Sequence, residues 1–184
     1  MIQLFTELQE KKNVRSNLSA LRASLKEATE EQKAQAIEFV RGHEDLVFGF
    51  LQEEDAKTRK NAALLLGDLA VQNALQPLWK AYTREQTLFV KSAYLEAMKA
   101  LHAEEILSQL KDRLAELEGE PVTEENRKHW EAELRALRAI LIQYEGIDTH
   151  HFDIKQKNNH VLLVTNRNHR GILENQTGGK AHPL

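Results

Sequence analysis

Residues 147–184 hold five of the chain's eight histidines, His150, His151, His160, His169 and His182, and imidazole at that density is the raw material of a zinc or copper site. The spacing argues against one. His150 and His151 are neighbours on a segment expected to be extended, so their rings point to opposite faces, and no cysteine or Glu-x-x-His arrangement accompanies them. They are read as solvated or hydrogen-bonded side chains, and His43, His102 and His129 as residues of helix boundaries or polar faces. Nucleophilic catalysis has the residue types but not the setting: nothing places Ser16, Ser19, Ser24, Ser92 or Ser108 on a strained turn beside a base. Gly178-Gly179 is an isolated pair, without a Gly-x-Gly-x-x-Gly loop or a Gly-Lys-Ser/Thr motif to cradle phosphate, and no Asn-Pro-Pro-Tyr or Asp-Pro-Pro-Tyr methylase motif occurs. The expectation is a chain with no catalytic residue, no metal ligand and no cofactor of its own. What remains is binding chemistry: Lys57, Lys60 and Asn61 on an outward helix face, and Arg167 and Arg170 in a basic turn suited to phosphate.

Composition bounds the elements that would position these residues. With no cysteine, disulfides and thiolate chemistry are excluded, and a reducing cytosol is the expected home. An aromatic content of 6% suits a core packed mainly with Leu and Ala. The opening Met1-Ile2-Gln3-Leu4-Phe5-Thr6-Glu7 has neither a basic leader nor a long apolar run, and no stretch approaches the roughly 20 apolar residues of a membrane span. A cytoplasmic protein without a membrane partner is therefore expected. The net charge of −3 hides an uneven division. Residues 147–184 carry five basic side chains against three acidic ones, leaving residues 1–146 at −5 and making the tail the better place for RNA contact.

From Leu46 to Leu101 apolar residues recur at helical spacing between short polar turns. The periodicity predicts helices over residues 44–52, 55–70, 73–83 and 87–101, and loops of two to four residues make each antiparallel to the one before. Ala62, Ala63, Leu66, Leu69 and Ala70 share the expected core face of the second, whereas Lys57, Lys60, Asn61, Leu64 and Asp68 point away, as do Phe89, Ser92 and Glu96 on the fourth. Such a mixed outer surface fits an interaction face and an idle solvated one equally well.

The segment from Thr58 to Leu69 aligns with that from Val90 to Leu101 at a shift of 32 residues. Both resemble the second helix of a HEAT repeat, a pattern of Val-Arg, two variable residues, Ala-Ala, Ala-Leu-Gly and Leu, with Lys99 where the pattern has glycine. A more degenerate copy runs from Val14 to Leu21, with Arg22 at an apolar position. The resemblance implies an all-α, right-handed stack of antiparallel helix pairs over residues 1–146, a HEAT-like superhelix. It also implies that Asp55 and Arg59 occupy the positions of the family's inter-repeat ladder. They are read here as structural, with Thr87 standing at the Asp position of the second copy.

After Leu101 the helices lengthen. Ile106, Leu107, Leu110, Leu114 and Leu117 form one apolar stripe, Trp130, Leu134, Leu137 and Leu141 another, and Gly119-Glu120-Pro121-Val122 lies between them. Thr123 followed by Glu124 and Glu125 is an N-cap with acids in the first turn, and Gly146 is placed to end the last helix. The stripes fit a capping helical hairpin better than an intermolecular coiled coil, because each spans only two or three heptads with a turn between.

From Ile147 helical periodicity stops and a second module, residues 147–184, begins. His160-Val161-Leu162-Leu163-Val164-Thr165 reads as a strand, followed by a turn through Gly171 and a helical stub from Ile172 to Gln176, a short α/β fragment. A lone strand leaves its backbone groups unsatisfied, so either the polypeptide continues past Leu184 or the strand pairs with another chain. Val161 to Leu173 resembles the opening strand and helix of the ferredoxin-like domain that precedes the THUMP domain in RNA base methyltransferases, although Arg167 and His169 replace the glycine common there. That resemblance implies the N-terminal recognition region of an S-adenosylmethionine-dependent RNA methyltransferase, contacting protein or structured RNA. The alternative is a stand-alone protein-interaction adaptor whose tail adds a strand to a partner's sheet. A HEAT-like DNA-repair enzyme would need a basic groove and a catalytic acid, which the net charge of the helical part disfavours.

Overall fold

The computed structural model describes residues 1–145 and the strand segments 152–157 and 160–165. The chain divides into two compact units, Met1–Ile147 and Asp148–Leu184. The described part of the first is helical throughout: α1 (Ile2–Gln9), α2 (Val14–Leu25), α3 (Glu30–Gly42), α4 (Glu44–Gly49), α5 (Ala56–Asp68), α6 (Leu75–Arg84), α7 (Leu88–Ala100), α8 (Leu107–Gly119) and α9 (Arg127–Glu145). Short 3-10 turns at Phe50–Gln52, Gln72–Ala74 and Ala103–Ile106 continue α4 and lead into α6 and α8.

Several helices begin where a side chain can accept one of the first-turn N–H groups that have no partner inside the helix. Thr29 and Gln32 form a reciprocal capping box at α3. Asp55 caps α5, its Oδ2 accepting from the Thr58 N–H at 2.7 Å and the Thr58 hydroxyl at 2.8 Å. Before α9, the Thr123 N–H donates to Asn126 Oδ1 at 2.7 Å and the Asn126 N–H donates back to Thr123 Oγ1 at 3.3 Å. The expected Thr123 cap is therefore made, with Asn126 as its partner.

Helices α2, α5, α7 and α9 pack one against the next along the chain, while α6 lies on α7 and α8 on α9. Helices α5 and α7 approach closely, so that a Cβ on Gly67 would sit 2.9 Å from the Cα of Ala97. Only a residue without a side chain lets the two backbones come so close. Ala62, Ala63, Leu65, Leu66, Tyr94 and Met98 are buried around that contact. The α8–α9 hairpin forms as its stripes predict, and the Trp130 indole N–H donates to the Leu117 carbonyl across it at 2.6 Å.

The 32-residue shift read from the sequence governs the helix boundaries as well. Ala56 and Leu88 open α5 and α7, Asp68 and Ala100 close them, and Leu75 and Leu107 open α6 and α8, each pair 32 residues apart. The residues just past the two helix ends, Ala70 and His102, stand at the same offset and both adopt left-handed backbone, φ 50° and 54°. At Ala70 the reason is visible: the Ala70 N–H donates to the Gly67 carbonyl and the Val71 N–H to the Leu66 carbonyl, the bond pattern of a Schellman helix stop.

Two side-chain expectations are corrected. Ala70 is exposed, not part of the core face, because the helix has ended and the chain turns left-handed there. Leu64, expected to point outward, is buried, since neighbours cover α5 on more than one side.

In the second unit the strand expected at His160–Thr165 is present as β2 and pairs antiparallel with β1 (Phe152–Lys157), from Phe152 opposite Thr165 to Lys157 opposite His160. The chain itself thus supplies one neighbour for that strand, which the sequence reading did not foresee. Gly146, the turn from Asn166 to Gly171 and the stub from Ile172 to Gln176 lie outside the described residues.

Candidate functional site

Helix α6 is amphipathic in an unusual sense, because both of its long faces are used. Leu75, Leu78 and Tyr82 are buried in the core. Gln76, Pro77, Lys80, Ala81 and Arg84 share the opposite face, spaced as one side of a helix, and line an open groove of about 880 Å³. The segment from Phe48 to Glu54 supplies the other side, with Arg59, Glu85 and Tyr94 at the base. Pro77 is tolerated because it lies in the first turn of α6, where its missing N–H has no helical partner to lose.

The floor is held by a buried ion pair. Arg59 Nε donates to Glu85 Oε2 at 2.7 Å and Nη2 donates to Oε1 at 3.0 Å, while Nη1 donates to the carbonyls of Glu53 and Glu54, both at 2.8 Å. Glu85 also accepts from the N–H groups of Gln86 and Thr87, at 3.0 and 2.8 Å, and so terminates the turn that starts α7. Burial alone would raise the Glu85 carboxyl, but the Arg59 guanidinium and the Thr87 donors outweigh it and hold it below the usual carboxylate range. The Tyr94 hydroxyl donates to the Leu51 carbonyl at 3.0 Å, and burial together with the Glu85 charge pushes it up to about 12. Every charged group of this floor is committed to another group of the protein.

A second cluster joins four helices through one carboxylate. Glu133 on α9, only 7% exposed at its side chain, accepts from Arg113 Nε on α8 at 3.0 Å, from the Tyr82 hydroxyl on α6, and from Lys91 Nζ on α7 at 3.3 Å. Lys91 also lies over the Tyr82 ring, 5.3 Å from its centroid. Tyr, Lys, Arg and Glu together are residue types that also occur in acid–base catalysis. Burial raises Glu133, but donors from Arg113 and Tyr82 and the charge of Lys91 hold it below the usual range, and burial pushes Tyr82 well above its own. The carboxylate thus ties α6, α7, α8 and α9 together through one buried network.

The sequence-derived binding residues divide. Lys57 is exposed and Lys60 and Asn61 are half-exposed on α5, and none of the three lines the groove. Arg167 and Arg170 lie outside the described residues, as do His150, His151, His169 and His182. Among the described residues no group of three or more metal-ligating side chains lies together, and no helix is long and apolar enough to cross a membrane. The Ser24 and Ser92 hydroxyls donate to carbonyls of their own helices, Leu21 and Leu88. Asp55 and Arg59 do not pair with each other: Asp55 caps its own helix, with Arg15 of α2 at 4.0 Å, and Arg59 turns to Glu85.

Sequence reasoning missed Glu85, Arg113 and Glu133. A signal for two of them was present, because Arg113 falls in register with Leu110 and Leu117, and Glu133 with Trp130 and Leu137. A charge inside an apolar stripe must meet an opposite charge or carry a large desolvation cost, and here the two stripes hold one of each sign. Comparison with known protein families, with curated proteins and with solved structures finds no match to this chain.

Proposed function

We propose that residues 1–146 form a non-catalytic scaffold, built as a HEAT-like right-handed stack of antiparallel helix pairs, that binds a protein partner in the groove along α6. The recurrence of helix boundaries at 32 residues and the packing of α2, α5, α7 and α9 in chain order support the stack. The observation that carries the binding reading is the groove itself. Phe48, Pro77 and Trp79 line it together with charged side chains, it is of a size that takes several side chains, and both charged clusters beside or beneath it are locked into the fold. Selection of displayed peptides on the full chain tests this. Recovered binders should lose affinity for a Trp79→Ala variant of unchanged melting temperature, and a selection whose binders all ignore that substitution would defeat the proposal.

A second reading attaches this scaffold to an RNA-modifying, S-adenosylmethionine-dependent methyltransferase as its recognition region. It is favoured by the excess of basic residues after Ile147 and by the strand β2, which opens the segment resembling the ferredoxin-like region of those enzymes. A filter-binding titration of the full chain with transfer RNA checks it. Binding should weaken steeply with salt and should fall further when Arg167 and Arg170 are replaced together by Gln; absent or salt-insensitive binding excludes it.

A further inference from the structure

We draw no further inference here: the strongest candidate, the groove between α6 and residues 48–54, belongs to the site already described, and nothing in the structure shows what covers it.

Discussion

The Arg59 guanidinium and the Glu85 carboxylate meet through two parallel hydrogen bonds, 2.7 and 3.0 Å long, with both side chains largely withdrawn from water. Arg59 recurs at the 32-residue shift as Lys91, and Lys91 also reaches a buried glutamate farther along the chain, Glu133. At both positions the cation thus reaches a buried carboxylate that lies later in the chain.

Replacing Arg59 by Leu should therefore cost about 3 kcal/mol, because it strands a buried carboxylate and frees two backbone carbonyls at once. Lys at the same position should recover only part of the loss, since an ammonium cannot reproduce the two-pronged contact. Urea unfolding of Arg59→Leu, Glu85→Leu and the double variant checks this. The double variant should lose distinctly less than the two single losses combined.

Acid should weaken the fold through Glu85 and Glu133. Both carboxyls are held below their ordinary value of 4.5, each by cationic donors that outweigh the effect of burial. A group depressed in the folded state contributes stability above its unfolded value and loses it as pH falls through the folded one. The urea midpoint should therefore be level near neutrality and decline as pH drops below about 4.5. Glu133→Gln should lower the plateau, leaving Arg113 and Lys91 side by side, and make the acid decline shallower. An unchanged acid limb in that variant would show that Glu133 is not one of the groups responsible.

The four helices between Glu44 and Leu101 were legible from periodicity because each amphipathic segment buries a stripe, and the hairpin after Leu101 was legible from its two stripes and Pro121, whereas α1 and α3 were not placed. Ala70 was not legible, because a left-handed helix stop is expected to carry glycine and an alanine there reads as one more core residue. Arg59 was located but its partner was not. A side chain that leaves its own helix can reach any carboxylate the packing brings near, and the 26-residue separation of Arg59 and Glu85 carries no periodic mark. The groove was illegible for a related reason. Its lining comes mainly from two stretches that separately look like ordinary polar surface, and only their juxtaposition brings Phe48 and Trp79 to one cavity.

Gly67→Ala should destabilise the protein although alanine is the better helix former by about 1 kcal/mol. The added methyl would lie 2.9 Å from the Ala97 Cα, so α5 and α7 must part along a seam where Leu66, Tyr94 and Met98 are buried. A net loss of about 1–2 kcal/mol in urea unfolding is expected. Ala97→Gly should fail to rescue it, because the obstruction is the backbone carbon and not only the methyl.

Ala70→Gly should act in the opposite direction. Left-handed backbone costs an L-residue about 1–2 kcal/mol, and glycine escapes that cost while loosening the unfolded chain by about half as much. The Ala70 side chain is exposed, so its removal leaves no cavity, and the helix stop formed with the Gly67 and Leu66 carbonyls needs only its N–H groups. A gain of about 0.5–1 kcal/mol is expected, seen as a melting temperature higher by about 2 °C. His102→Gly should behave alike, since His102 is also exposed and holds the same left-handed geometry at φ 54°. Ala56→Gly, at the start of α5 with ordinary helical backbone, serves as the control: it should lower the melting temperature, and a gain there would show that the effect belongs to glycine in general and not to the two helix stops.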